Sequence, residues 1–204
     1  GIVSFMERYS NTTREVAQNG RRGALMISVS VHHPQILDFI RAKRNRDKVT
    51  GANISIRLTD EFMEAVVANE DYEVRFPVDS AEPLISERIS AKEIWDEIVE
   101  SAWQYAEPGL LFWDSVTKFS PADIYADFGF KTISTNPCGE IPLCAYDSCR
   151  LMVVNLLSFV QNPFTEQSAF DFNAFSLVVQ QAQRLMDDLI DLELEQVEKI
   201  IAKI

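Results

Sequence analysis

The chain has 204 residues, of which 47% are hydrophobic and 25% are charged, and its net charge is −12 at pH 7. This composition is typical of a globular protein that is large enough to bury a core. The excess of acidic residues argues against direct binding of nucleic acid, which requires a basic surface toward the phosphates. Binding of a single nucleotide by a local basic patch is still compatible with this composition.

Cysteine usage indicates a reducing compartment. The three cysteines, Cys138, Cys144 and Cys149, are odd in number and close in sequence, unlike the framework of a secreted disulfide-rich protein. We therefore expect a cytoplasmic location. No CxxC pair is present, and His32 and His33 lie far from the cysteines in sequence, so we expect no metal site.

The sequence also indicates whether the chain crosses a membrane and whether it is a fragment of a longer protein. No signal peptide is visible, and the longest apolar stretch, 151–160, is too short to cross a bilayer, so we expect no membrane partner. The chain begins at Gly1 in the middle of a helical pattern, which we interpret as the mark of a fragment or a processed product.

The first half of the chain alternates helical and strand patterns. Helices are predicted at 2–18, 34–40, 59–67 and 90–103, and strands at 24–31, 49–58 and 72–78. Ser90 and Glu93 form a capping-box pattern, and Thr59 or Asp60 can cap the preceding helix. We expect the side chains of Val67, Trp95 and Trp103 to face inward. Residues 19–23 are expected to form a flexible basic loop, and residues 41–48 a basic, solvated segment after the second helix.

The second half continues the alternation less regularly. A short strand is predicted at 110–113, irregular chain at 121–129, and a lead-in at 132–135 to a segment that contains cysteine. The run 151–160 reads as a strand or buried segment, and 170–204 reads as a long helix that is broken once. Strands that alternate with helices favour an α/β architecture.

The segment 136–143, with the sequence NPCGEIPL, is the most informative stretch. Two prolines exclude a helix or a central strand, so we predict a rigid loop. If the loop is extended, Asn136, Cys138 and Glu140 point the same way, and an amide, a thiol and a carboxylate can face one ligand. A lone cysteine is more often a small buried side chain. No histidine is nearby to activate a thiolate, which disfavours cysteine hydrolase chemistry.

The wider context of this segment resembles a known family. The run 136–143 resembles the active-site finger loop of ribonucleotide reductases, and its NPCGE form is most similar to the adenosylcobalamin-dependent class II enzymes. Asp147-Ser148-Cys149 resembles the next redox cysteine of that family. Other segments also resemble family blocks in the family's order: 1–6, 18–24, 33–44 and 51–55. The resemblance covers nearly the whole chain.

The resemblance implies a fold and a catalytic set. The fold is part of a ten-stranded α/β barrel, incomplete in this chain alone, in which 1–204 is the central segment and 136–148 is the finger loop. Cys138 would become a transient thiyl radical, Glu140 would act as general base, and Asn136 would orient the ribose. Cys149 would be one half of the dithiol that ends as a redox-active disulfide.

The resemblance also implies partners. Gln18, Arg21 and Arg22 would lie in a specificity loop, about 18–24, that responds to the substrate base and to a nucleotide effector. The expected cofactor is adenosylcobalamin, and the alternative is a radical from a separate subunit that contains a metal. Expected partners are a ribonucleotide, a nucleotide effector, a thioredoxin-like reductant and other chains of a split enzyme.

Three alternatives stay open at this level. Family parts on both sides of this segment have no counterpart here, so we expect the isolated chain to be inactive. It is either a natural piece of a split enzyme or a fragment, and a non-catalytic scaffold or regulatory remnant of the fold is the other reading. The sequence leaves diphosphate and triphosphate substrates equally open. Cys144 matches no family role and is expected to be a structural thiol.

Overall fold

A computed structural model of the chain describes residues 1–16, 20–21 and 23–202. It divides the chain into two compact units, Gly1–Asp147 and Ser148–Ile204. The first unit contains the parallel sheet and the segment with Cys138, and the second contains Cys149.

Helices and strands alternate through the first unit, as the sequence pattern predicts. Its helices are α1 (Ile2–Glu15), α2 (Ile36–Arg41), α3 (Asp60–Ala68), α4 (Ala91–Tyr105) and α5 (Trp113–Phe119). Its strands are β1 (Met26–Ser30), β2 (Asn53–Leu58), β3 (Asp71–Phe76), β4 (Ile85–Ser90), β5 (Gly109–Phe112), β6 (Thr132–Thr135) and β7 (Pro142–Cys144). A 3-10 helix, Ala122–Phe128, occupies the stretch that was expected to be irregular.

A parallel sheet with the strand order β1-β2-β5 is the centre of the first unit. Ile27 pairs with Ile54, and Ile56 pairs with Leu110. Side chains alternate between the two faces of a strand, and registered residues of parallel neighbours share a face. Ile54, Ile56 and Leu58 all lie in the hydrophobic core, so this face is the one that is covered by helices.

The covering layer includes the helices α2, α3 and α4. Helix α4 packs against both α2 and α3. Their fully buried side chains include the largest of the core: Ile36, Phe39, Ile40, Phe62, Ile94 and Ile98. Burial of such a side chain contributes about 1.5–3 kcal/mol, so this layer holds the sheet in place.

The helix starts agree with the capping signals in the sequence. Thr59 is the N-cap of α3, and its hydroxyl accepts the N–H of Phe62 at 3.2 Å. Ser90 is the N-cap of α4 and accepts the N–H of Glu93 at 3.3 Å. Each cap satisfies a backbone donor that would otherwise lack a partner, which is worth about 1 kcal/mol.

Two inward-facing expectations are wrong. The side chain of Val67 is 87% exposed, and that of Trp103 is 81% exposed, whereas Trp95 packs partly buried against the core. Helical spacing places a residue near the edge of an apolar face, but it does not decide how far the neighbouring elements extend over that edge.

The basic segment 41–48 was expected to be solvated, but several of its side chains form ion pairs with the rest of the first unit. Glu97 of α4 accepts from Arg41 Nε at 2.9 Å and from Arg44 at 2.6 Å. Lys43 forms an ion pair with Glu107. The hydrogen bond from Arg41 is the main cause that holds the pKa of Glu97 below its ordinary value. These pairs attach the end of α2 and the loop after it to the middle of α4 and to the segment that follows α4.

A hairpin of β3 and β4 is joined to the sheet through a buried polar network. Tyr72 stacks on His32, and its hydroxyl lies 2.8 Å from His32 Nε2 and 3.0 Å from the Thr59 hydroxyl. His32 Nδ1 lies 3.2 Å from the carbonyl of Glu73, which can only accept, so Nδ1 carries the proton and Nε2 accepts from Tyr72. The network links the end of β1, the start of α3 and β3.

The second unit contains a small hairpin and one long helix. A 3-10 helix (Leu156–Phe159) leads into β8 (Val160–Gln161), which pairs with β9 (Ala169–Phe170) ahead of α6 (Phe172–Ile201). Helix α6 runs for 30 residues without the break that was expected. The run 151–160 is also not a buried strand, because Leu151 is 81% exposed and Val153 is 91% exposed.

The α/β class is therefore confirmed, whereas a closed barrel is not observed among the described residues. Within the residues that the structure describes, the strands form one three-stranded and three two-stranded sheets, and these do not close into a barrel. The ten-stranded barrel stays an expectation that comes from the family resemblance.

Candidate active site

The segment with Cys138 is the connection of a β-hairpin. Strands β6 and β7 are antiparallel, with Thr135 opposite Pro142 and Thr132 opposite Cys144. The register shifts between Thr132 and Ser134, which leaves Ile133 as an irregularity in β6. We call residues 132–144 the finger hairpin.

The tip of the finger hairpin is a tight turn. The N–H of Gly139 donates to the carbonyl of Asn136 at 3.0 Å, and Gly139 has φ +87°, which glycine adopts without strain. The side-chain Oδ1 of Asn136 accepts the N–H of Ile141 at 3.0 Å, while the Asn136 N–H donates to the Ile141 carbonyl at 3.2 Å. The turn is thus closed by three hydrogen bonds.

The predicted loop is a turn and is not extended, so the condition for aligning the three side chains is not met. The chain reverses direction between Asn136 and Gly139, so the alternation of an extended strand does not align Asn136, Cys138 and Glu140. Cys138 and Glu140 are exposed, and Asn136 is half-buried. The turn presents the thiol and the carboxylate to solvent, and Asn136 braces the turn while its Nδ2 amide remains available as a donor.

The finger hairpin rests on the face of the parallel sheet that is opposite the helices. Asn53, the first residue of β2, donates from Nδ2 to the Pro137 carbonyl at 2.6 Å. A Cβ on Gly139 would lie 3.6 Å from Leu111 Cδ2, so the turn approaches β5 at van der Waals distance. Leu111 is only 7% exposed although it is not part of the helix-covered core. The tip of the hairpin therefore covers this face.

Polar contacts fix the base of the finger hairpin. One carboxylate oxygen of Asp123 accepts the backbone N–H of Thr132 at 3.1 Å, and the other accepts the Thr132 hydroxyl. The Ser120 hydroxyl lies 3.2 Å from that of Thr132. Burial alone would raise the pKa of Asp123, but the hydrogen bonds from Thr132 outweigh it and lower the pKa. Asp123 thus stays ionised and holds β6.

The other two cysteines differ in their surroundings. All three thiols are free. Cys144 is partly exposed at the end of β7, and burial, followed by the negative charges of Asp147 and Asp123, raises the pKa of its thiol. A raised pKa keeps the thiol protonated and weakly nucleophilic, as a structural cysteine would be. Cys149 is exposed in the second unit.

The predicted specificity loop is only partly described. Gln18 and Arg22 lie outside the described residues. Arg21 is exposed, and Gly20 has φ +81°. A Cβ on Gly23 would lie 2.6 Å from the Thr13 carbonyl, so only glycine lets the chain pass this close to α1. The end of the loop is therefore anchored on the helix that precedes it.

Sequence reasoning missed the residues that seat the hairpin. Asn53 was noted only as part of a block that resembles the family, and Leu111 and Asp123 were not singled out at all. A polar side chain at the start of a buried parallel strand was the available signal for Asn53. Nothing in the sequence indicates that Asp123 reaches Thr132, because that contact depends on the intervening 3-10 helix.

Neither a metal centre nor a corrin ligand is assigned to the described residues. The described part of the chain contains no group of three or more His, Cys, Asp or Glu side chains that could hold a metal ion. An imidazole ligand for cobalt would need a free ring nitrogen. His32 is 6% exposed and engaged through both nitrogens, and His33 accepts the Gln35 N–H at Nδ1. His32 therefore does not fit that role. None of the described helices has the length and apolar character that crossing a membrane requires.

Comparison with known proteins places these observations in one family. The family model "Ribonucleotide reductase, barrel domain" matches residues 1–203. The chain is similar to the vitamin B12-dependent ribonucleoside-diphosphate reductases of Thermoplasma acidophilum, with 39% identity over 98% of this chain, and of Mycobacterium tuberculosis, with 33% identity over 94%. A putative ribonucleoside-diphosphate reductase large subunit of frog virus 3 is 31% identical over 67% of the chain.

The matched region is a minor part of each relative. The chain spans 25% of the Thermoplasma protein, 26% of the mycobacterial protein and 25% of the viral protein. The match runs through the parallel sheet, the finger hairpin and the second unit alike. The chain belongs to the ribonucleotide reductase barrel-domain family.

Proposed function

We propose that this chain forms the central part of a ribonucleotide reductase that converts ribonucleotides to deoxyribonucleotides for DNA precursor synthesis. One observation carries the proposal: the free thiol of Cys138 is exposed on a braced turn, two residues before the exposed carboxylate of Glu140. Family membership and the names of the relatives support it.

The proposed chemistry begins and ends at Cys138. Its thiyl form takes the hydrogen from C3′ of the ribose, and Glu140 accepts the 3′-hydroxyl proton as general base. The 2′-hydroxyl then leaves as water. Two thiols, one of them Cys149, supply two electrons and two protons and become a disulfide. Cys138 finally returns its hydrogen to C3′, so the thiyl radical is regenerated.

Asn136 has two roles in this proposal. Its Oδ1 closes the turn by accepting the Ile141 N–H at 3.0 Å, which holds the Cys138 thiol in place. Its Nδ2 amide is the donor that would orient the ribose hydroxyls. Gln18, Arg21 and Arg22 would form the loop that responds to the substrate base and to a nucleotide effector.

We propose adenosylcobalamin as the radical source, because the relatives from Thermoplasma and Mycobacterium are named as vitamin B12-dependent. When bound, this cofactor supplies the radical that oxidises the Cys138 thiol. A separate subunit that contains a metal is the alternative source. A thioredoxin-like reductant and further chains that complete the barrel are the proposed protein partners, and the cytoplasm is the proposed location.

A reductase assay on the assembled complex tests the proposal. The chain would be combined with the remaining parts of the barrel, a ribonucleotide and a dithiol, with either adenosylcobalamin or a metal-containing radical subunit. Deoxyribonucleotide formation with adenosylcobalamin, reduced by roughly 100-fold or more in Glu140→Gln, is expected for a general base. Activity with the metal-containing subunit alone would change the radical source and keep the reaction. Inactivity of a verified assembly in both mixtures would contradict the proposed function.

A further inference from the structure

In the second unit, the segment that follows Cys149 runs along helix α6. The described residues 148–155 contain no turn or bend, so this part of the chain is drawn out. It lies against the helix along a groove to which both contribute side chains. The lining residues are Met152, Val153, Val154, Asn155, Ser158 and Phe159 of the segment, and Val178, Gln181, Ala182 and Leu185 of α6.

Two contacts hold this segment at its two ends. Phe159 packs edge-on against Phe175 near the start of α6, with ring centres 5.4 Å apart. Arg150 forms an ion pair, through Nη2, with Oε2 of Glu193 near the other end of the helix. Between these two contacts α6 rises roughly 27 Å, at about 1.5 Å per residue.

The length of the segment matches this distance. From 150 to 159 the chain spans roughly 26–28 Å if it is extended as far as 156 and the 3-10 helix that follows rises about 2.0 Å per residue. The segment is therefore nearly extended between its two contacts. Its end next to Cys149 is the end that the Arg150–Glu193 ion pair holds.

The same guanidinium also contacts the residue on the other side of the cysteine. Arg150 donates from Nη1 to the Ser148 hydroxyl at 2.7 Å. In an extended chain, residues two apart share a side and the residue between them points the opposite way. Arg150 is largely buried and Cys149 is exposed, in agreement with this alternation. Arg150 thus bridges both neighbours of the thiol to α6.

The ion pair has a larger effect on geometry than on stability. The side chain of Glu193 is more than half exposed, and a pair that water and salt reach adds little to the free energy of unfolding. The guanidinium, however, is a rigid fork whose two terminal nitrogens donate in fixed directions. With Nη1 on Ser148 and Nη2 on Glu193, it fixes the direction in which the chain passes through Cys149.

We propose that Arg150, through its ion pair with Glu193, positions the Cys149 thiol for the step in which two thiols reduce the ribonucleotide and become a disulfide. The inference rests on the proposed reductase function. Arg150 acts through the chain on both sides of Cys149, so it is a positioning residue and takes no part in the transfer of electrons or protons.

A spin label on Cys149 tests the contact without any enzymatic activity. The label would be attached to the chain with Cys138→Ser and Cys144→Ser, and its motion would be read from the line shape in electron paramagnetic resonance. Faster motion is expected in Arg150→Gln and in Glu193→Gln, and slower motion should return when Arg150→Glu is combined with Glu193→Arg. Glu195→Gln removes the same charge from an exposed position of α6 and should leave the motion unchanged. Wild-type motion in both Arg150→Gln and Glu193→Gln would overturn the proposal.

Kinetics of the assembled reductase, with each variant verified for assembly, connect the contact to the reaction. A misplaced thiol predicts that Arg150→Gln lowers kcat by roughly 10- to 100-fold and leaves KM for the ribonucleotide unchanged, with partial recovery in the combined charge reversal. Glu195→Gln should retain the wild-type kcat. A purely structural role would reduce the amount of complex and leave its kcat at the wild-type value, which would overturn the proposal. An inactive wild-type complex would contradict the proposed function, and the spin label would still decide whether the ion pair fixes Cys149.

Discussion

The side chain of Asn53 donates a hydrogen bond of 2.6 Å to the carbonyl of Pro137, the residue before the proposed radical cysteine. Asn53 is the first residue of β2, whose following residues are almost all buried. The hydrogen bond therefore fixes the tip of the finger hairpin to a strand of the parallel sheet.

Replacement of this donor should affect activity more than stability. Asn53→Ala is expected to reduce the free energy of unfolding by roughly 1 kcal/mol, the usual value of such a hydrogen bond. A displaced thiol should lower kcat of the assembled reductase by roughly 10- to 100-fold. Gln104→Ala, which removes an exposed side-chain hydrogen bond to Glu100, is the control and should leave kcat unchanged. Wild-type kcat in Asn53→Ala would show that the contact does not position the turn.

Gly139 gives a second test of the turn. Gly139→Ala places a Cβ at φ +87°, where an L side chain is strained, although its nearest neighbour, Leu111 Cδ2, lies at an ordinary 3.6 Å. We expect destabilisation of about 1 kcal/mol from the backbone alone, measured by urea unfolding, together with a loss of reductase activity.

The chain offers a matched control for this substitution. Gly129 has φ +93° with nothing within 4 Å of an added Cβ, and it lies outside the finger hairpin. Gly129→Ala should therefore show a similar stability loss and retain activity. Equal losses of activity in the two variants would mean that stability, and not the geometry of the turn, limits the reaction.

The Tyr72 network predicts a specific alkaline sensitivity. Burial, the largest cause, raises the pKa of Tyr72 from 10.0 to about 12. The unfolded chain loses the Tyr72 proton at a lower pH than the folded chain does. The contribution of the protonated Tyr72 hydroxyl to the free energy of unfolding is therefore complete below pH 10 and is lost as the pH rises through about 12. The loss is on the order of 2 to 3 kcal/mol, at about 1.4 kcal/mol per pKa unit.

The comparison of two tyrosine variants isolates this effect. Tyr72→Phe should be less stable at neutral pH, because His32 Nε2 loses its donor, and should lack this part of the alkaline loss. Tyr9→Phe, at a residue that is 55% exposed, should keep the wild-type dependence. Denaturant unfolding between pH 8 and pH 12 is the measurement, and identical slopes in all three proteins would exclude Tyr72 as the source.

Local signals predicted much of the first unit. The caps at Thr59 and Ser90 and the strand that becomes β2 follow from side-chain chemistry and periodicity, both of which act within a few residues. Strand β4 was missed because its sequence, ISERIS, is mostly polar and exposed, and only its pairing with β3 makes it a strand. Exposure of Val67 and Trp103 depends equally on distant neighbours.

The residues of the proposed site were selected by motif, whereas the motif did not predict their geometry. The NPCGE segment pointed to Asn136, Cys138 and Glu140 and predicted a rigid loop, but the condition under which the three side chains would align, an extended loop, is not met. The amide of Asn136 accepts the Ile141 N–H and closes a turn, a competition between side chain and backbone that spacing rules do not resolve. The support from Asn53 reaches Pro137 across a separation of 84 positions in the chain and requires the fold itself.

Replacement of Cys138 tests the central claim most directly. The assembled reductase would be assayed for deoxyribonucleotide with wild type, Cys138→Ser and Cys144→Ser, each verified for assembly and for the same free energy of unfolding. A serine O–H bond is too strong to serve as the hydrogen carrier, so Cys138→Ser should form no product, whereas Cys144→Ser should retain activity. Product formation by Cys138→Ser at the wild-type rate would contradict the assignment of Cys138 as the radical residue.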